Sequence, residues 1–292
     1  MSDKVTQKER DAFTGTETTG HVWDGVKELN TPLPKWWLYV LYTTIVWSIG
    51  YWVVYPAWPG ISNYTRGLLG YSSHADYHRD AAAAADAQKV WLDRIHVASL
   101  EQINSDPELV EFAQNGGRAV FAENCAPCHG AGGQGAPGFP VLADDSWLWG
   151  GDLASIEQTI RHGIRSTDTE TRVSDMPRFG ADQMLDAAQI GDVADYVMSL
   201  SGTAIDPAVK ERGAAVFAEN CAACHGEQGE GKMELGAPAL NDSIWLYGGD
   251  RASIVAQVTL PKQGVMPAWQ GRISDDWIKM VAIYVHNLGG GQ

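Results

Sequence analysis

Two fourteen-residue segments of this chain are nearly the same: Gly117 to Gly130 reads G-R-A-V-F-A-E-N-C-A-P-C-H-G, and Gly213 to Gly226 reads G-A-A-V-F-A-E-N-C-A-A-C-H-G. A repeat of this kind means a duplicated structural unit. Each copy contains C-x-x-C-H, as Cys125, Cys128 and His129 and as Cys221, Cys224 and His225, and together the copies use all four cysteines of the 292-residue chain. Two thiols three residues apart lie on one face of a helix, where each can bond a vinyl carbon of haem while the adjacent imidazole reaches the iron. A thioredoxin-like thiol pair or half a zinc site needs no His directly after the second Cys. A shared zinc site would also have to join pentads 96 residues apart, far beyond ordinary ligand spacing. The motif pair therefore points to two covalently bound haem c groups.

The repeat continues downstream. Asp145 to Asp152 (D-S-W-L-W-G-G-D) is echoed with one inserted residue by Asp242 to Asp250 (D-S-I-W-L-Y-G-G-D), and each half then carries Met-Pro, at Met176-Pro177 and Met266-Pro267. A thioether opposite the proximal His stabilises ferrous iron, so these methionines are the expected sixth ligands. The Pro biases the Met backbone towards an extended loop. Each Met follows a pentad at a similar interval, 47 and 41 residues after the His. This interval pairs Met176 with His129 at the first haem and Met266 with His225 at the second. Pro140-Val-Leu142 and Pro238-Ala-Leu240 lie where a carbonyl is needed to orient each proximal imidazole. His21, His74, His78, His96, His162 and His286 have no counterparts in the other half and are read as surface or helper residues.

Trp36 to Ala57 contains no charged residue over 22 positions, about 33 Å as a helix and enough to cross a bilayer. Trp and Tyr crowd both ends and no A-x-A-like cleavage site follows, as in an uncleaved signal anchor. Lys4, Lys8, Arg10, Lys27 and Lys35 precede the span, whereas only Arg66 and Arg79 lie in the comparable stretch after it. The positive-inside rule then puts the N-terminus in the cytoplasm and both pentads in the periplasm of a bacterial inner membrane.

The expected fold class is all-α: one N-terminal transmembrane helix followed by two tandem cytochrome c domains. Residues 1–35 form a cytoplasmic tail with a short helix near Val22 to Leu29. The membrane helix is 36–57. A periplasmic helical linker covers 58–104, with an amphipathic stretch from Ala81 to Leu100. The cytochrome domains are 105–201 and 206–292. Asp106-Pro107 and Asp206-Pro207 read as N-caps followed by a first-turn proline. Ile190 to Leu200 and Trp277 to Leu288 are the matching closing helices, with Tyr196 and Tyr284 equivalent. The linker at Ser201-Gly202-Thr203 is short, so the haems are expected to be close. Covalently held haem adds the apolar surface that units this small need for a core.

The net charge is −15, and about −14 of it lies beyond residue 35. Such a surface disfavours nucleic acid and steers basic partners, such as a lysine-rich donor cytochrome.

The whole chain resembles the dihaem subunit III of cbb3-type cytochrome c oxidases. The most diagnostic part is the tail, with Thr19-Gly20-His21-Val22-Trp23-Asp24-Gly25 and then Asn30-Thr31-Pro32-Leu33-Pro34-Lys35-Trp36-Trp37 ahead of the span. The two haem domains also resemble class I cytochromes c, in which the carbonyl of a P-x-L proline accepts the proximal imidazole N–H. The resemblance implies a subunit that takes electrons from a donor cytochrome c or the cytochrome bc complex. It would pass them to a monohaem subunit and on to the haem b and copper centre that reduces oxygen and pumps protons. It implies ligand sets of Cys125, Cys128, His129 and Met176, and of Cys221, Cys224, His225 and Met266. Trp147, Trp245 and Trp269 are expected near haem, and Arg161, Arg165 or Arg178 near propionates.

No residue looks like an oxygen-reducing centre, because a closed His/Met iron offers no open position. The subunit is therefore read as a non-catalytic part of the oxidase. A dihaem peroxidase would need one iron without a sixth ligand, and Met-Pro in both halves speaks against it. A membrane-anchored dihaem shuttle serving a periplasmic dehydrogenase or nitrogen-oxide reductase is the alternative, and the tail speaks against that. The first repeat has extra residues at Ile164 to Val173, which read equally as a docking loop or a surface insertion.

Overall fold

Residues 8–291 are described in the computed structural model of this chain, and they form two units that part between Ala85 and Asp86. Lys4 and the rest of the first seven residues lie outside the described residues.

In the first unit the expected helix near Val22 to Leu29 is instead a β-hairpin. Strand β1 (Thr18–Trp23) pairs antiparallel with β2 (Val26–Leu29), with Val22 opposite Lys27 and Trp23 opposite Val26. The connecting Asp24 and Gly25 both adopt positive φ, 46° and 89°. An Asp-Gly pair in this conformation makes a two-residue turn whose twist matches the strands it joins. Helix α1 (Lys35–Val54) follows, with none of its residues buried and a mean hydropathy of 1.3 over its most apolar window. It is the membrane-spanning candidate among the described residues, starting and ending slightly before the expected 36–57. The chain then folds back: the N–H groups of Leu68 and Leu69 bond to the carbonyls of Val53 and Val54 at 3.0 and 3.1 Å. These bonds satisfy acceptors that the end of a helix leaves unpaired. Gly67, at φ 73°, makes the approach possible, because a Cβ there would lie 2.3 Å from the Val54 carbonyl oxygen.

Helix α2 (Ser73–Val97) starts earlier in the linker than the expected amphipathic stretch and leads into the second unit, where α3 (Leu100–Ser105) follows a Ser99 capping box. The first repeat then supplies α4 (Pro107–Asn124), α5 (Ala126–His129), α6 (Leu153–His162) and α7 (Ala187–Leu200). The second supplies α8 (Pro207–Asn220), α9 (Ala222–His225), α10 (Arg251–Thr259) and α11 (Asp275–His286). Asp106 and Asp206 cap α4 and α8 as expected, accepting from the amides of Glu108 and Leu109 and of Ala208.

The helices do not pack in tandem. The closing helix of the first repeat, α7, lies on α8 of the second, and α11 lies on α4 of the first. At each crossing a glycine admits the partner backbone. A Cβ on Gly117 would lie 2.2 Å from the Met280 carbonyl, and one on Gly213 would lie 2.2 Å from that of Asp192. Phe121 packs on Tyr284 and Phe217 on Tyr196, both with ring centroids 5.3 Å apart.

Two cores result. The outer one joins Ile95, Leu100 and Ile103 to residues of α4, α6 and α11, among them Phe121, Ile156 and Ile283. The inner one uses Phe179, Ile190, Val193, Phe217 and Ile254, all from the stretch between the two Met-Pro loops. The expected division at 201/206 is therefore not the division of the cores. An inner lobe, running from the first Met-Pro loop to the end of α10, is enclosed within a split outer lobe. The physical reason is the short connection from α7 to α8, residues 201–206, which makes them antiparallel neighbours. That leaves α4 for α11 to cover.

Candidate haem sites

Each pentad begins where a helix gives way to one further turn. Cys125 ends α4 and Cys221 ends α8, and the amides of His129 and His225 bond to the Cys125 and Cys221 carbonyls at 2.9 Å. The glycine after each His, at φ 79° and 81°, stops the turn. The P-x-L loops meet the imidazoles as expected: His129 Nδ1 lies 3.0 Å from the Pro140 carbonyl oxygen, and His225 Nδ1 lies 2.9 Å from that of Pro238. A carbonyl only accepts, so Nδ1 carries the proton and Nε2 keeps a lone pair for a metal. Burial holds both imidazoles below their usual pKa, favouring this neutral form. The same burial pushes the Cys125 and Cys221 thiols up to about 11. Neutral thiols of this kind are unlike the low-pKa thiolates of a C-x-x-C redox pair.

Each pentad opens on an apolar cavity. The outer cavity, about 90 Å³, is lined by Phe121, Cys125, His129, Trp147, Ile160 and Met266, among others. The inner cavity, about 210 Å³, includes Cys221, Cys224, His225, Trp245, Phe217 and Met176 in its wall. The methionines have therefore exchanged places relative to the expectation from chain spacing, with Met266 sharing a cavity with His129 and Met176 one with His225. The exchange follows from the packing, since each Met-Pro loop lies beside the closing helix that follows it.

This donor set fits covalently held haem. Each cavity brings an imidazole with a free lone pair and a thioether together inside an apolar wall, with Cys125 in the outer one and both Cys221 and Cys224 in the inner one. Trp147 and Trp245 line the cavities, whereas Trp269 packs against the outer core. Of the three candidate arginines only Arg165 lines a cavity, the inner one. Arg161 pairs with Glu157 and Asp275, and Arg178 with Asp182. His21, His74, His78, His96, His162 and His286 line neither cavity.

Sequence reasoning missed Leu148, which lines both cavities, between Trp147 in the outer and the Trp149 ring that meets Gly236 of the second repeat. The segment D-S-W-L-W, echoed as D-S-I-W-L-Y in the second repeat, was the available signal.

Comparison with known proteins matches three parts of the chain to family models. Residues 15–62 match the family model of the N-terminal domain of the cbb3 cytochrome oxidase protein FixP, and residues 114–201 match cytochrome c. Residues 208–285 match cbb3-type cytochrome c oxidase subunit III. The chain is 53% identical to the cbb3-type cytochrome c oxidase subunit CcoP of Azospirillum brasilense, over 99% of this chain and 100% of that one. It is 52% identical to the CcoP subunit of Cereibacter sphaeroides, over 94% and 95%. It is 53% identical to the FixP subunit of Azorhizobium caulinodans, over 97% and 96%.

Proposed function

The chain belongs to the CcoP/FixP family of cbb3-type cytochrome c oxidase subunits, and from that premise we propose that it relays electrons through two His/Met haems towards the oxygen-reducing subunit. It is a membrane-anchored dihaem cytochrome of the oxidase complex, with two covalently bound haem c groups. The haem supplies the one-electron iron couple, and the protein sets its environment.

The observation that carries the reading is the composition of the two cavities. Each has a pentad imidazole and a methionine in its wall, and Leu148 is common to both. His129 and Met266 would hold the first iron, and His225 and Met176 the second. Thioether ligation and apolar enclosure both favour the reduced state, which suits an acceptor of electrons from a cytochrome c or bc-type donor. Because Leu148 lines both cavities, an electron has a short path between them. The excess of basic residues before α1 orients the N-terminus to the cytoplasm and the haem lobes to the periplasm. The acidic periplasmic part attracts a basic donor. Electrons leave for the monohaem subunit and then the haem b and copper centre.

The test removes one haem by replacing Cys221 and Cys224 with Ser, so that only the haem at Cys125 and Cys128 remains. In that background Met266→Ala is expected to lower the potential and open the iron to carbon monoxide, while Met176→Ala leaves both unchanged. The reverse result would restore the pairing expected from chain spacing. Unchanged carbon monoxide binding in both variants would remove methionine from the ligand set.

A further inference from the structure

The extra residues of the first repeat, Ile164 to Val173, end up between the two Met-Pro loops. Ile164 and Met266 exchange both backbone hydrogen bonds, each 3.0 Å. Gly163, at φ 71°, allows this, since a Cβ there would lie 2.3 Å from the Met266 carbonyl oxygen. The next residue, Arg165, is held at φ 50°, a left-handed conformation that a non-glycine residue adopts only when its surroundings impose it. Its amide is fixed by the Arg172 carbonyl at 2.8 Å, within the same inserted loop.

From this position one guanidinium serves both loops. Arg165 Nε donates to the Gly264 carbonyl at 2.8 Å, and Nη1 donates to the Ser174 carbonyl at 2.7 Å. Gly264 and Ser174 are equivalent positions, each two residues before a Met-Pro methionine. The Gln263 side chain adds a further link by donating to the Met176 carbonyl at 3.1 Å. Arg165 is also half-buried in the wall of the inner cavity. A planar, rigid fork suits this double grip, and an ammonium group does not reproduce it.

We propose that Arg165 is a shared positioning residue that ties the two Met-Pro loops into one mechanical unit, so that the sixth-ligand positions of both haems are set together. The proposal rests on the pairing of His129 with Met266 and of His225 with Met176. Each iron–sulfur bond then depends on a loop whose placement depends on the other. Displacement of one methionine loosens the other through the same guanidinium.

The experiment uses the full-length, haem-loaded chain in detergent. Three readouts are followed: the far-red sulfur-to-iron charge-transfer band of the ferric form, the carbon monoxide-reactive fraction of the reduced form, and the two reduction potentials. Arg165→Ala is expected to raise the methionine-dissociated fraction about tenfold at both haems, which is the effect of losing one charge-assisted hydrogen bond per loop. Arg165→Lys, which keeps the charge without the fork, is expected not to rescue it. Gln263→Ala should act on the second haem only, and Arg178→Ala, an exposed partner of Asp182, on neither. A change at one haem alone, full rescue by lysine or no change overturns the proposal. Met176→Ala and Met266→Ala in the same series show separately whether the methionines are ligands, so failure of the clamp and failure of the ligand assignment are told apart.

Discussion

The outer and inner lobes use the same opening helix, pentad and P-x-L loop, yet they are completed in different ways. The inner lobe is one uninterrupted stretch in which the closing helix α7 precedes the opening helix α8. It is a cytochrome c unit in permuted order. The outer lobe keeps the ordinary order but is assembled from segments on both sides of the inner one. Its closing helix is correspondingly bolted down. Lys279 of α11 donates to the carbonyls of Ile95, His96 and Ala98 at 3.2, 2.9 and 2.8 Å, covering the C-terminal end of α2. Trp147 Nε1 donates to the Gly290 carbonyl at 2.5 Å, fastening the residues that follow α11. The comparison teaches that a lobe assembled from two separated segments carries anchors across its seam, whereas a lobe made of one stretch is held by the short connection between its packed helices.

Overfilling the two helix crossings breaks this comparison most strongly. Gly117→Val and Gly213→Val each push a side chain into a backbone carbonyl, and each is expected to cost about 3 kcal/mol. The consequences should differ. In Gly117→Val the displaced α11 is expected to become protease-sensitive, while α7 in Gly213→Val, joined to α8 by residues 201–206, yields no such early fragment. Thermal denaturation with mass-mapped limited proteolysis reads both effects, and identical early fragments would show that chain connection does not matter.

A smaller difference is expected from the tryptophans. Trp147→Phe removes the bond to Gly290 and should cost about 1 kcal/mol, with faster amide exchange in α11 and the residues after it. Trp245 packs against the inner core and not on α11, so Trp245→Phe should leave exchange in α11 as it was. Equal exchange rates in the two variants would deny Trp147 its anchoring role.

Acid gives the smallest effect and the one most alike in the two lobes. The Asp275 carboxyl is held below its usual range by the hydrogen bond and charge of Arg161, which ties α6 to α11. Asp192 is lowered by Arg212 in the same way, tying α7 to α8. A pKa depressed in the folded state contributes stability above the unfolded value of about 4 and loses it as pH falls through the folded value. Stability of both lobes should therefore be level above pH about 5 and decline below about 4. In Arg161→Gln the outer lobe should lose part of that dependence, as measured by denaturant midpoints across pH.

Much of the molecule was legible because its signals are local. The pentads, the capping aspartates, the Pro140 and Pro238 loops and the apolar span each depend on residues close together in the chain. The methionine partners were not legible from spacing, because distance along the chain does not say which helix covers which. The deciding signal was present in the few residues between Leu200 and Pro207, too few to let α7 leave α8. The hairpin was missed for a related reason. The stretch from Val22 to Leu29 is expected as a short helix, although Asp24-Gly25 at its centre carries the strongest short-range turn signal. The role of Arg165 lay beyond any pattern, since it depends on two loops that only the exchange of helices brings together.

The enclosure of one lobe within another also sets an order of construction. A chain made from its N-terminus presents Cys125 and Cys128 before Cys221 and Cys224, yet the helix that seals the first pair, α11, emerges after every helix of the inner lobe. The second haem site can be walled as soon as α10 is made, while the first stays open on one side until α11 arrives. The site that is first available for attachment is thus the last to be shielded from solvent.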